Sequence, residues 1–99
     1  MDKAIFIDRD GVINEDPGYV HKIEDFKLIP KAVDALKLLS EKGFKFIIIT
    51  NQSGIGRGYY TEEDFLRFNN HLVNKLSKDR IKIEKTYYCP HHPDELCNC

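Results

Sequence analysis

Ala4-Ile5-Phe6-Ile7-Asp8-Arg9-Asp10-Gly11-Val12-Ile13-Asn14 is an apolar run that breaks off into two carboxylates and a glycine. Ile5, Phe6 and Ile7 read as a short strand buried on both faces. In an open α/β sheet, ligands bind just beyond the carboxyl ends of the strands. Asp8 therefore stands where chemistry is expected, and Gly11 lets the chain turn away at once. The competing reading, a solvated Asp-x-Asp-Gly turn, is weakened by the apolar strand before it. It is weakened again by a second strand that ends in an equally polar loop, residues 50–58.

The totals set the frame. Ninety-nine residues, 41% hydrophobic and 31% charged, suit one globular domain with a modest core. A net charge of −1 gives no reason to expect nucleic acid or an anionic membrane as partner. No apolar run approaches the roughly 20 residues of a membrane span. Residues 1–20 lack a signal-peptide pattern, so a cytoplasmic location is expected.

Beyond the first strand, residues 12–29 hold no sustained period and read as a loop or small flap over the strand end, turning at Asp16-Pro17-Gly18-Tyr19. Phe26, Leu28 and Ile29 return to the body. Pro30 opens a helix to about residue 42, with Ala32, Ala35, Leu36 and Leu39 on its inner face and Gly43 as its stop. Residues 44–49 are nearly all apolar and form a central strand. Thr61, with Asp64 three residues on, caps a helix over residues 62–78 whose inner stripe is Phe65, Phe68, Leu72 and Leu76. Ile81, Ile83 and Thr86-Tyr87-Tyr88 suggest a third strand. Three strands and two helices in alternation predict a partial Rossmann-like parallel sheet with right-handed crossovers.

Parallel strands bring Asp8, Asp10, Thr50 and Asn51 to one rim. Two carboxylates repel a phosphate unless a hard cation such as Mg²⁺ lies between them. Given that cation, Asp8 can attack phosphorus and Asp10 can serve as acid and base. Thr50 can hydrogen-bond a phosphoryl oxygen. The amides of the glycine-rich loop at residues 54–58 and Arg57 offer further anion contacts.

These two segments, Asp8 to Asn14 and Thr50-Asn51-Gln52-Ser53-Gly54-Ile55-Gly56-Arg57-Gly58, resemble the haloacid dehalogenase superfamily of phosphatases. More narrowly, they resemble its branch of heptose bisphosphate and histidinol-phosphate phosphatases. The resemblance spans residues 1–99 as a single domain. It implies Asp8 as nucleophile, Asp10 as acid/base, and both as Mg²⁺ ligands, Asp10 through its main-chain carbonyl. It implies that Thr50 stabilises the transferring phosphoryl group. Asp16, Pro17, Gly18 and Tyr19, with Thr50, Asn51, Gln52 and Ser53, are the implied contacts to a small phosphorylated sugar. Gly18-Tyr19-Val20-His21 leans toward the heptose enzymes.

Cys89, Cys97 and Cys99 lie in the last eleven residues beside His91 and His92. An odd count crowded so closely suits a metal better than disulfides. Cys89, His91, Cys97 and Cys99 make a four-ligand set for structural Zn²⁺. The resemblance supports His91 over His92, although the short spacer occurs often among histidinol phosphatases. The family pattern continues past the zinc loop with a charge-neutralising lysine and a strand ending in acidic Mg²⁺ ligands, which these 99 residues do not contain. One lost group of that kind costs ~10²–10³ in rate. The expectation is a domain truncated at its C-terminal end, weak in turnover, with the edge of its first strand open to self-association.

Overall fold

The computed structural model describes residues 3–91. Three parallel strands, β1 (Lys3–Ile7), β2 (Phe44–Asn51) and β3 (Ile83–Cys89), lie in the order β1-β2-β3. Between β1 and β2 come a 3₁₀ turn at Ile23–Asp25 and helix α1 (Pro30–Glu41). Between β2 and β3 come the one-turn helix α2 (Ser53–Gly56) and the long helix α3 (Glu62–Lys78). The parallel sheet is as expected, while the 3₁₀ turn and α2 replace stretches read as loop.

The topology fixes which face is covered. Both crossovers step the same way across the sheet, and right-handed crossovers that step the same way put their helices on the same face. The core accordingly joins Val33 and Leu36 of α1 to Leu72 and Leu76 of α3 over Phe46 and Ile48 of β2, with Ile13 and Ile81 closing the ends. Ile5 and Ile7 pack against this cluster from β1.

Residues that alternate with these point the other way, so β1 is not buried on both faces. Phe6 is 64% exposed, Ile49 51% and Tyr87 50%. The expectation of a doubly buried first strand assumed helices on both sides, and only one side has them among the described residues. Among the described residues β1 is also an edge strand, paired with β2 alone in the register Ile5↔Phe46, Ile7↔Ile48.

Local signals behave as the chemistry of helix ends requires. Thr61 accepts from the Asp64 amide while Asp64 accepts from the Thr61 amide, each at 3.0 Å, forming a complete capping box. Pro30 occupies the first turn of α1. The inner face of α1 differs from the expected one: Val33 and Leu36 are buried, whereas Ala35 is exposed. Ala has too little surface to decide which way a helix turns, and the larger Val takes the core.

Candidate functional site at the strand ends

β1 ends at Ile7 and the chain folds back at once. The Arg9 carbonyl accepts from the amides of Ile13 and Asn14 at 2.8 and 3.3 Å, and Gly11 takes a left-handed φ of 81°. This loop carries buried Ile13 under the flap and holds Asp10 at the sheet's carboxyl end. The Asp16 carboxylate caps the next turn by accepting from the Gly18 amide at 3.0 Å.

Asp10 is the hub. Its Oδ1 accepts from Arg9 Nε at 2.7 Å and Asn14 Nδ2 at 3.1 Å. Its Oδ2 accepts from Arg9 Nη2 at 3.0 Å and Gln52 Nε2 at 3.0 Å. The Arg9 guanidinium is fully buried and lies over the rings of Phe65 and Phe68, 5.1 and 4.9 Å from their centroids. A planar, weakly hydrated cation tolerates such a site when a carboxylate meets its fork, as Asp10 does. Arg9 Nη1 reaches Asn69 Oδ1 at 3.4 Å, and Asn69 in turn donates to Thr86 Oγ1 at 3.0 Å on β3.

Gln52 joins the two strand ends. Its Nε2 donates to Asp10 Oδ2 and to Thr50 Oγ1, both at 3.0 Å. The Tyr60 hydroxyl donates to Gln52 Oε1, which fixes the amide with its NH₂ toward Asp10. Burial, and then the nearby Asp10 carboxylate, push the Tyr60 phenol up to about 12, so it remains a donor at neutral pH. The His21 ring stacks on Tyr60 at 4.6 Å. Gly54 makes this packing possible, because a Cβ there would run into the rings of Tyr60 and Tyr19.

A cleft of ≈ 300 Å³ opens above this network, lined by Asp10, Asp16, Gly18, Tyr19, Asn51, Ser53 and Tyr60. It gathers six of the residues singled out from the sequence; Tyr60 is the addition. Thr50 and Gln52 are buried beneath it. Pro17 instead lines a separate hollow, with Asp25 and Lys27. Asp8 is exposed, its Oδ1 accepting from the Arg9 amide at 2.8 Å, and it stands outside the cleft lining.

Three amides of the glycine-rich loop are turned inward rather than offered to an anion. The amides of Ile55, Arg57 and Gly58 donate to Gln52, Ser53 and Ile55 carbonyls at 3.0–3.1 Å, closing the turn of α2 on itself. Arg57 is exposed at its end. The sequence reading missed Arg9, Asn69 and Tyr60. An arginine inside an Asp-x-Asp pair, followed by a Phe-x-x-Phe-Asn stretch, was the available signal for the first two.

Of the four residues expected to bind zinc, Cys89 Sγ and His91 Nδ1 lie 3.9 Å apart at the end of β3. Cys97 and Cys99, like His92, fall outside the described residues. Among the described residues no three His, Cys, Asp or Glu side chains are grouped to hold a metal ion. None of the described helices is long and apolar enough to cross a membrane.

Fold and cleft together define an α/β protein with a carboxylate-centred site at its strand ends. The sequence model of the haloacid dehalogenase-like hydrolases matches residues 5–81, and the chain belongs to that family. It is 50% identical over 97 residues to a probable D-glycero-D-manno-heptose-1,7-bisphosphate 7-phosphatase of Thermoplasma acidophilum, covering 98% of this chain and 61% of that protein. It is 44% identical to the D-glycero-beta-D-manno-heptose-1,7-bisphosphate 7-phosphatase of Haemophilus influenzae, covering 57% of it. Among solved structures, the D,D-heptose 1,7-bisphosphate phosphatase of B. bronchiseptica, complexed with magnesium and phosphate, superposes with a TM-score of 0.89 at 28% identity. That match covers 98% of this chain and 55% of the other. The chain thus spans about three fifths of the length of the curated relatives named here.

Proposed function

We propose that the chain hydrolyses a phosphate monoester through an aspartyl-phosphate on Asp8, and that the ester is the 7-phosphate of D-glycero-D-manno-heptose 1,7-bisphosphate. The observation that carries this reading is the Gln52 amide, which bonds Asp10 and Thr50 at 3.0 Å each and so ties both strand ends into one polar site. The relatives named above support the heptose substrate, and the histidinol-phosphate alternative is not favoured.

In this reading an Asp8 carboxylate oxygen attacks phosphorus, the phosphorus–ester bond breaks, and the departing oxygen takes a proton from Asp10. Water then gives its proton to Asp10 and attacks the acyl phosphate, releasing phosphate and restoring the Asp8 carboxylate. The bond from Gln52 to Asp10 Oδ2 opens for that oxygen to carry and deliver the proton, since Asp10 borders the cleft while Gln52 lies beneath it. Thr50 donates to a phosphoryl oxygen. Asp16, Gly18 and Tyr19, with Asn51 and Ser53, line the cleft and hold the sugar. Pro17 shapes the turn between Asp16 and Gly18, and Gln52 acts from beneath through Asp10 and Thr50.

Magnesium suits the donors present. The exposed Asp8 carboxylate and the Asp10 main-chain carbonyl are hard oxygens, and Mg²⁺ takes one or two carboxylates and fills its shell from water and phosphate. When bound it supplies positive charge to the phosphoryl group. Zinc is assigned a structural role on Cys89, His91, Cys97 and Cys99, the first two already side by side. Water reaches Asp8 freely, so slow turnover is expected.

The test is phosphate release from the heptose bisphosphate with added Mg²⁺, beside histidinol phosphate, together with trapping of the phosphoryl-enzyme. Asp8→Asn should abolish both signals. A variant that releases phosphate as fast as the parent would show that Asp8 is not the nucleophile.

A further inference from the structure

A carboxamide is nearly symmetric in shape, so its direction is set by which neighbours donate and which accept. The Gln52 amide is buried and meets three groups: Asp10 and Thr50 on its nitrogen, Tyr60 on its oxygen. The ionised Asp10 carboxylate only accepts, and so it demands the NH₂. That demand lapses when Asp10 carries the proton that the proposed reaction passes to the leaving oxygen, because a carboxylic acid also donates. The Thr50 hydroxyl can donate or accept at any stage. A Gln52 amide turned over at that moment would set its oxygen against both groups and take their protons in place of the substrate.

Tyr60 stands against that turn. Among the described residues Gln52 Oε1 is the one acceptor for its hydroxyl, so reversing the amide would leave a buried phenol O–H unmatched. The ring itself is held. His21 stacks on it with the planes 9° apart, and Gly54 leaves it the room it fills. Tyr60 also directly precedes Thr61, whose capping box fixes the entry of the chain into α3.

We infer that Tyr60 is a positioning residue for the hydrolysis: through Gln52 it keeps the Asp10 proton and the Thr50 hydroxyl free for the substrate. The inference rests on the roles proposed above for Asp10 and Thr50. Tyr60 acts on the amide and not on phosphorus.

Tyr60→Phe is the probe, because it removes the hydroxyl and keeps the ring that His21 and Gly54 pack against. In the ligand-free chain, nuclear magnetic resonance reads the solvent exchange of the Gln52 Nε2 protons, assigned by their loss in Gln52→Met. One lost hydrogen bond should speed that exchange about fivefold. Tyr59→Phe, on an exposed neighbouring ring, should leave it unchanged. Exchange indifferent to Tyr60→Phe overturns the inference. With the heptose bisphosphate and Mg²⁺, Tyr60→Phe should lower kcat about fivefold at constant KM. In the Gln52→Met background it should cost nothing further, since both residues act through one amide. A loss confined to KM overturns the inference in favour of a direct sugar contact. Additive losses overturn it as well, since Tyr60 would then act outside Gln52. Thermal melts check that each variant is folded. Faster exchange in a chain without any turnover supports the hold of Tyr60 on the amide and counts only against the phosphatase reading.

Discussion

One strand, β2, serves two environments. On one side Phe46 and Ile48 are buried under α1 and α3 and Thr50 beneath the cleft; on the other, Ile47 and Ile49 border exposed Phe6 and Tyr87. The sequence of β2 is almost equally apolar at both sets of positions, so composition alone does not reveal which side has found its cover. Topology does, since the direction of the crossovers puts both helices together. The covered side also carries the polar hub, because the Arg9 guanidinium that grips Asp10 lies against two phenylalanines of α3.

The sharpest way to break this contrast is Phe68→Ala. It empties a fully buried site that touches Arg9 and Phe26, and should cost about 3–5 kcal/mol in urea unfolding. Arg9→Met comes next, at about 3 kcal/mol, because it strands the partly buried Asp10 carboxylate without its fork. A loss under 1 kcal/mol would mean that Asn14 and Gln52 suffice to hold that carboxylate. Thr61→Ala, which removes one half of the capping box, should cost about 1 kcal/mol. Ile49→Thr on the bare side should stay within about 0.5 kcal/mol; a larger loss would show that the exposed face is already packed in solution.

Alkaline pH offers a gentler probe of the covered side. The Tyr60 phenol titrates near 12 in the folded chain and near 10 when unfolded. Its contribution is therefore fully present below pH 10 and is lost as pH rises toward 12, where the unfolded chain has given up a proton the folded one keeps. Urea midpoints at pH 9 and 11 should diverge, and Tyr60→Phe should reduce that divergence.

Much of this could be read from residues alone. The capping pair Thr61 and Asp64, the Phe65–Leu76 stripe, Pro30 at a helix start and the apolar strand from Phe44, two residues longer than expected, are local signals, and each acts locally in the fold. What escaped notice was non-local. The burial of Arg9 depends on α3 arriving above β1 from sixty residues away, and Tyr60 matters only because Gly54 lets its ring close on Gln52. The double burial assigned to Ile5, Phe6 and Ile7 failed for the same reason: an apolar side chain says that it seeks shelter, not that the described chain provides it.

The contact of Arg9 with Phe65 and Phe68 means that the interior of α3 and the Asp10 carboxylate, the proposed acid/base, are not independent targets for selection. A conservative repacking of that helix, such as Phe68→Leu, can shift the guanidinium and swing Asp10 with it, altering the reaction while the fold survives. Changes recorded as core variants in this helix are therefore worth screening for altered chemistry as well as for melting temperature.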